Sequence, residues 1–258
     1  MILKRTVLLI LILGVGCNQR TDNSTVDNNS KKNLADRLDG YWLSDSYLTN
    51  ISNSRSIYTD RDYRTKFWGF TLNKENLMSD SAYINGFTIH EGGYGSGIKY
   101  DSIKNCFIKD LSMIDEYSFI KEPFKMTLLD SGHLELDFGN KKEIYRKVND
   151  DQTELRKLLF EGQFRDIKTN KIIEFSADGT VGGLDKHKYF ELVYDFGEGI
   201  FYDASIFYPN QDSSGRWTNG DMYHFKINSD TLKLYKITPD WDMMDHKIGD
   251  LEYLLVKS

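Results

Sequence analysis

The chain contains little cysteine and little proline. Its two cysteines, Cys17 and Cys106, are too few for a disulfide framework. Only three prolines, together with an aromatic content of 14%, favour a well-packed body rich in β-strands. Cys106 comes directly before Phe107 and Ile108 and is expected to be a small buried residue on a strand rather than a reactive thiol.

An excess of basic residues is also missing. The chain has 33 Lys and Arg against 39 Asp and Glu, which gives a net charge of −6. Nucleic-acid binding normally requires a basic patch or stripe, so the sequence predicts no nucleic-acid partner. An acidic surface is not attracted to anionic lipid either, so attachment to a membrane would need a separate anchor.

No hydrophobic run is long enough to suggest a membrane-spanning helix. Lys4 and Arg5 precede an uncharged stretch over 6–16, which ends at Cys17. A helix needs about 20 apolar residues to cross a bilayer. The basic start, short apolar stretch and small final residues are typical of a secretory signal peptide. We therefore expect residues 1–16 to be a leader that is removed.

The end of this leader, Leu13–Cys17, resembles the lipobox of bacterial lipoproteins. The resemblance implies cleavage between Gly16 and Cys17 and acylation of Cys17, with the acyl chains as the membrane partner. Two or more acyl chains give stable attachment, at ~0.8 kcal/mol per buried CH₂. The residue after the cysteine is Asn18 rather than Asp, which resembles the pattern of lipoproteins that proceed to the Gram-negative outer membrane. An ordinary cleaved signal, with Cys17 present by chance, remains the alternative.

The remaining chain divides by composition. Residues 18–33 hold one aliphatic residue and no aromatic, which predicts a flexible tether. From Leu34 onward, short alternating apolar runs separated by turn residues predict antiparallel strands. One helix is predicted over 151–160. The predicted organisation is a leader over 1–16 and a lipidated tether over 17–33. A first β domain follows over 34–149, and a short linker helix with a second β domain over 150–258.

The two β segments resemble each other. Landmarks recur in the same order: Phe124-Lys125-Met126 with Phe225-Lys226-Ile227, the stretch 131–136 with 229–234, 141–148 with 249–256, and Gly40-Tyr41-Trp42 with Gly162-Gln163-Phe164. In the third pair, Tyr145 matches Tyr253. The second segment has about ten extra residues, 238–247, before its last strand. A duplicated β domain is therefore predicted.

The stretch Leu34–Trp42, a helical turn before a Gly-x-Trp strand, resembles the entry to the lipocalin barrel. In that family an Arg after the last strand lies against the Trp, and Arg146 is the candidate here. The hairpin over 172–181 resembles lipocalin-like domains of lipoproteins in Bacteroidota. The resemblance implies an all-β fold of two tandem antiparallel lipocalin-like barrels. Phe164 in place of Trp, Lys257 in place of Arg, and a long polar insertion over 49–66 depart from the pattern.

Few stretches suggest chemistry. Gly92–Gly97 lacks the Lys and helix of a phosphate-binding loop and is expected to be a mobile connection. The acidic stretch Asp240–His246 lacks calcium-loop spacing, and its Trp241, Met243 and Met244 could instead contact a partner. The histidines, which show no metal-ligand spacing, are His90, His133, His187, His224 and His246. An aromatic group could line a cavity or fill a core: Tyr189, Tyr194, Phe201, Tyr202 and Phe207.

The sequence therefore favours a non-enzymatic protein of the bacterial cell envelope, with no cofactor and no metal. We expect it to be lipid-anchored at the outer membrane and to bind an apolar or amphipathic small molecule. The alternative is an interaction or structural protein with filled barrels, which presents the loops 209–220 and 238–247 to an envelope protein. No residue suggests a catalytic role.

Overall fold

The computed structural model describes residues 23–59, 67–87, 93–114, 120–194, 196, 200–212, 216–240 and 245–258. The predicted leader, its cleavage site at Gly16 and the proposed lipidation site at Cys17 lie outside these residues. Strands dominate the described chain, in agreement with the all-β prediction. Among the described helices, none has both the length and the apolar character needed to cross a membrane.

Residues 34–149 contain a closed, antiparallel barrel in which eight strands follow one another in chain order. The first strand pairs with the last, so the sheet has no free edge. The barrel predicted for this half is confirmed. The strands are β1 Gly40–Ser44, β2 Gly69–Leu72, β3 Ala82–Phe87, β4 Gly93–Asp101, β5 Cys106–Lys109, β6 Lys125–Leu128, β7 His133–Asp137 and β8 Lys142–Val148.

Alternating side chains fill this barrel, because every second residue of a strand faces inward. The interior is packed with large side chains, including Trp42, Phe67, Phe70, Phe107, Met126, Leu134, Leu136 and Tyr145. Cys106 is buried on β5, as predicted, and burial raises the pKa of its thiol. Gly93–Gly97 belongs to β4 and pairs with β3, so the expectation of a mobile connection is wrong for these residues.

Helix α1, Asn23–Leu38, and Trp42 lie at the base of the barrel. The Trp42 indole nitrogen donates a hydrogen bond to the Leu38 carbonyl at 2.8 Å. The predicted Arg146–Trp42 contact is wrong, because Lys147 is the residue whose Nζ lies 5.5 Å from the centre of the Trp42 ring. Lys147 is the register partner of Trp42 and therefore shares its face, whereas Arg146 points to the other face.

The same helix corrects the predicted tether. Residues 23–33 are helical rather than irregular, and α1 continues without a break to the barrel. The Lys31 ammonium donates to the carbonyls of Met78 and Ser79, at 3.2 and 3.1 Å. Met78 ends the short helix α3, Lys74–Met78. These contacts hold the middle of α1 against the barrel even though this part of the helix offers almost no apolar surface.

The second half forms an eight-stranded antiparallel sheet in the order β11-β10-β9-β18-β17-β16-β13-β12. Strands β14, Asn210–Gln211, and β15, Trp217–Thr218, form a separate hairpin. The main strands are β9 Gly162–Asp166, β10 Ile172–Phe175, β11 Val181–Gly182, β12 Tyr189–Val193, β13 Ala204–Tyr208, β16 Asp221–Asn228, β17 Thr231–Asp240 and β18 Asp245–Lys257.

This sheet is not a closed barrel, so the second predicted barrel is not confirmed. Its edge strands β11 and β12 approach each other at one bridge, between Thr180 and Tyr189. The Val181 amide donates to the Lys188 carbonyl and the Phe190 amide to the Gly179 carbonyl, both at 2.8 Å. Strand β11 contains only two residues, which is too short to continue the ladder.

The predicted linker helix is confirmed as α4, Asp151–Leu159. The Asp150 side chain caps it by accepting from the Thr153 amide at 2.7 Å, and Leu155 and Leu159 face the core. That core is made of tightly packed rings, with Phe160, Phe175, Phe190, Phe207, Tyr223 and Phe225 fully buried. The interior of the second sheet is therefore filled as well.

The insertion between β1 and β2 joins the two halves. Helix α2, Asp45–Ser54, buries Tyr47 and Ile51 in the same hydrophobic cluster as the core of the second sheet. After this helix, the Asp203 carboxylate accepts from the Ser56 hydroxyl at 2.6 Å and from the amides of Ile57 and Tyr58 at 2.7 and 2.8 Å. Burial raises the pKa of Asp203 even though these three donors oppose the shift.

Candidate functional site

A groove of about 440 Å³ lies where strand β16 begins. Pairing between β16 and β17 starts at Tyr223 and Lys236, while β17 continues to Asp240. The extended part of β17 therefore has no β16 partner, and the groove occupies the end of the ladder. Its lining residues are Ile206, Tyr208, Gly220, Asp221, Met222, Lys236, Ile237 and Thr238.

The apolar floor of the groove belongs to the outer face of the second sheet. Ile206 and Met222 are register partners, and they alternate with the inward-facing Phe207 and Tyr223. A surface of this kind is usually polar in an antiparallel sheet, because that face meets water. Met222 and Ile237 are nevertheless buried in the same hydrophobic cluster as Phe207 and Tyr223, and Ile206 packs against that cluster, so much of the apolar floor is shielded from water.

Gly220 forms one wall through a close approach of the backbone. A Cβ atom at this position would lie 2.4 Å from Ile206 Cγ2 and 2.6 Å from Tyr208 Cε1. Only a glycine allows the chain to cross so near these side chains. The Tyr208 hydroxyl also donates to Glu191, which holds the ring in place, and burial raises the pKa of Tyr208.

Asp221 and Lys236 bring charge to this end of the groove. The Lys236 ammonium lies 2.5 Å from Asp221 Oδ1, and His187 Nε2 lies 2.8 Å from Asp221 Oδ2. An ionised carboxylate can only accept hydrogen bonds, so Nε2 of His187 carries the proton that the two groups share. Burial raises the pKa of Asp221, but the bonds from Lys236 and His187 outweigh burial and hold it below its usual value.

His187 is almost fully buried against aromatic rings. Its ring contacts Phe207 and Tyr223 edge to face, at centroid distances of 5.8 and 6.1 Å. Its second nitrogen, Nδ1, has no hydrogen-bond partner among the described residues. This packing fixes the imidazole, and through it one oxygen of Asp221, independently of Lys236.

The other histidines do not join this cluster. His133 lies at a surface turn beside Asp130, His224 Nδ1 donates to the Asp203 carbonyl, and His246 is buried near Tyr202. His90 lies outside the described residues. Within the described ranges, no three His, Cys, Asp or Glu side chains are grouped closely enough to hold a metal ion.

The aromatic group predicted to line a cavity or a core is dispersed. Phe207 is in the core, Phe201 is 64% exposed, and Tyr202 packs on His224. Tyr194 donates to Asp151 and packs on Trp68 at the junction of the halves. These residues do not converge on one pocket.

The acidic stretch at the tip of the long hairpin is only partly described. Asp240 and Asp245 are register partners at the ends of β17 and β18. The residues between them lie outside the described chain, and with them the predicted contact residues Trp241, Met243 and Met244.

Sequence analysis missed the groove itself, although a signal exists. Strands β13 and β16 carry buried residues on both faces, as in Ala204-Ser205 and Met222-Tyr223. Strand segments that are apolar on both faces indicate that the outer face is also covered. Comparison with known protein families, with curated proteins and with solved structures gives no match.

Proposed function

We propose that this protein is a lipid-anchored binding protein of the bacterial envelope, with two lipocalin-like barrels in tandem. In this proposal, acyl chains on Cys17 hold it at the membrane, most simply the outer membrane. The second sheet acts as a barrel whose last rung is the Thr180–Tyr189 bridge. The ligand is an amphipathic small molecule that binds in the groove at the end of β16.

The groove is the observation that carries the binding function. Its volume of about 440 Å³ falls in the range of small-molecule sites, which is roughly 300–1,000 Å³. Both sheets, in contrast, have their interiors filled by large side chains. A ligand that enters either interior would have to displace buried rings, whereas the groove is already open.

Binding in the groove can be tested with the amphipathic fluorophore 1-anilinonaphthalene-8-sulfonate. We expect one saturable site on the full chain in detergent. Ile206→Trp should fill the groove and weaken binding about tenfold or more. The matched control is Ile172→Trp, because Ile172 is an isoleucine on another strand of the second sheet, is 41% exposed and does not line the groove. Equal binding by both variants would contradict the proposed site.

The anchor has its own test. Mass spectrometry of the protein from bacterial membranes should give a chain that begins at Cys17 and carries acyl groups. Cys17→Ser should leave the leader attached or release an unacylated chain. An unmodified thiol at Cys17 in the native protein would contradict the envelope assignment.

Filled interiors favour a second candidate function, recognition of an envelope protein. Ile248 is the register partner of Ile237 beside the groove, and it is 45% exposed. A partner that covers the groove could also cover this residue. Photo-crosslinking from position 248 in intact cells would recover one specific protein if this candidate is correct, and lipid or small molecules alone if it is not.

A further inference from the structure

The groove has an apolar floor but a charged end, and the two charges there are not equivalent. Both carboxylate oxygens of Asp221 are already bonded, Oδ1 by Lys236 and Oδ2 by His187. The Lys236 ammonium has three N–H donors, and its contact with Asp221 uses one of them. Two N–H donors of Lys236 therefore remain for a ligand, while each Asp221 oxygen already accepts one hydrogen bond.

His187 makes the lysine available. Because the imidazole is buried and donates to Asp221, the carboxylate keeps a strong partner when Lys236 turns away. The lysine side chain is 37% exposed, so it can move without leaving a buried pocket. A second anion can then share or capture the ammonium at little cost to Asp221.

We infer that the groove selects amphiphiles with an anionic head group, such as a carboxylate or a phosphate monoester, and that Lys236 binds this head group. The inference rests on the proposed function, since it assigns the polar end of the same ligand. The apolar chain lies along Ile206, Met222 and Ile237, and the head meets Lys236 at the end of the ladder. Charge-assisted hydrogen bonds of this type are roughly twice as strong as neutral ones.

Three ligands that share an eight-carbon chain and differ in their head group test the preference for an anionic head separately from binding in the groove. Calorimetric titration of the full protein with octanoate, octanol and octylammonium at pH 7 should show octanoate about tenfold tighter than octanol, with octylammonium weakest. Equal affinities, or tightest binding of octylammonium, would overturn the inference and leave the groove as a binding site. If none of the three binds and Ile206→Trp has no effect on the fluorophore, the proposed function itself fails.

Lys236→Met tests the residue. It keeps the apolar stem and removes the charge, so the advantage of octanoate over octanol should disappear. The control is Lys226→Met. The Lys226 ammonium lies 5.8 Å from the centre of the Tyr235 ring, as the Lys236 ammonium lies 5.0 Å from that of Tyr223, but Lys226 does not line the groove. If Lys236→Met does not fold, the head series on the unaltered protein decides alone. If folded Lys236→Met still binds octanoate more tightly than octanol by the same factor, Lys236 does not bind the head group.

Discussion

The bases of the two halves are built alike, although most of their residues differ. Gly40 and Gly162 begin the first strand of each sheet with φ of 134° and 131°. Lys147 and Lys257 extend over these glycines, and their Cε atoms would lie 2.7 and 3.3 Å from an added Cβ. The same backbone conformation and the same covering side chain therefore occur at both bases.

The aromatic residue above each glycine follows the same plan. Trp42 is the register partner of Lys147, and Phe164 is the register partner of Lys257. The strands that follow diverge. Strand β1 leads into helix α2, whereas β9 turns directly into β10 through a short loop at 167–171.

The opposite ends of the two sheets therefore serve different purposes. The first half uses its added residues to contact the second half at Asp203. The second half uses its added residues to lengthen β17 and β18, which creates the groove beside Lys236. The two halves are therefore alike at the base and differ at the far end, where each makes its own contacts.

The largest expected effect tests the two bases directly. Trp42→Ala should lower the free energy of unfolding by about 3–5 kcal/mol, because it removes a fully buried ring and leaves a cavity. Phe164→Ala should cost a similar amount, measured by urea denaturation of both variants. A neutral Phe164→Ala would show that the second base is not energetically equivalent to the first.

Asp203 tests the connection between the halves. Asp203→Ala should lower the free energy of unfolding by about 2–4 kcal/mol, since it removes the acceptor of the partly buried amides of Ile57 and Tyr58 and one acceptor of the Ser56 hydroxyl. Asp203→Asn keeps one acceptor oxygen and should cost much less. Thermal unfolding followed by circular dichroism measures both. Equal losses for the two variants would mean that the charge, and not the hydrogen bonds, holds the insertion.

The two glycines offer a smaller, paired test. Gly40→Ala and Gly162→Ala should each lower the free energy of unfolding by roughly 1–3 kcal/mol, because a residue with a Cβ is strained at these φ values. Gly40→Ala should be the more damaging, since its Cβ would lie closer to the covering lysine. Chemical denaturation of the two single variants gives the comparison, and a reversed order would contradict it.

The smallest effect concerns pH and has opposite signs at two carboxylates. The raised pKa of Asp203 means that its ionisation disfavours the folded state as pH rises, so Asp203→Asn should gain stability relative to the unaltered protein from about pH 3 to pH 7. The lowered pKa of Asp221 means that its ionisation favours the folded state. Asp221→Asn should therefore lose relative stability at lower pH, as the pH rises from below the folded pKa of Asp221 to above the ordinary value of 3.8. Denaturation midpoints across pH would contradict this if both variants moved in one direction.

The sequence predicted what depends on local patterns. The Gly-x-Trp entry at Gly40 and Trp42, the linker helix and the first barrel follow from turn residues and alternation, which act over short distances. The duplication of the β domain stays a prediction, and its predicted register differs from the one that strand pairing gives. The sequence matched Tyr145 with Tyr253, whereas the equivalence of Lys147 and Lys257 places Leu255 at the position of Tyr145.

The errors have a common physical source. The lipocalin resemblance implies Arg146, but a shift of one residue in register reverses which side chain faces inward, and the sequence does not fix that register. The contact between Ser56 and Asp203 joins residues 147 positions apart, so no local pattern reports it. The groove depends on where one ladder ends, which is a property of strand pairing rather than of any single strand.

Helix α2 has a consequence for how the protein can be produced. A fragment that stops at residue 149 would leave Tyr47, Ile51 and Ile57 facing water, because their neighbours come from the other fragment. A fragment that starts at residue 150 would lack those side chains from its own interior. Expression of either piece alone should give poorly soluble material, and co-expression of the two pieces should restore a complementing pair.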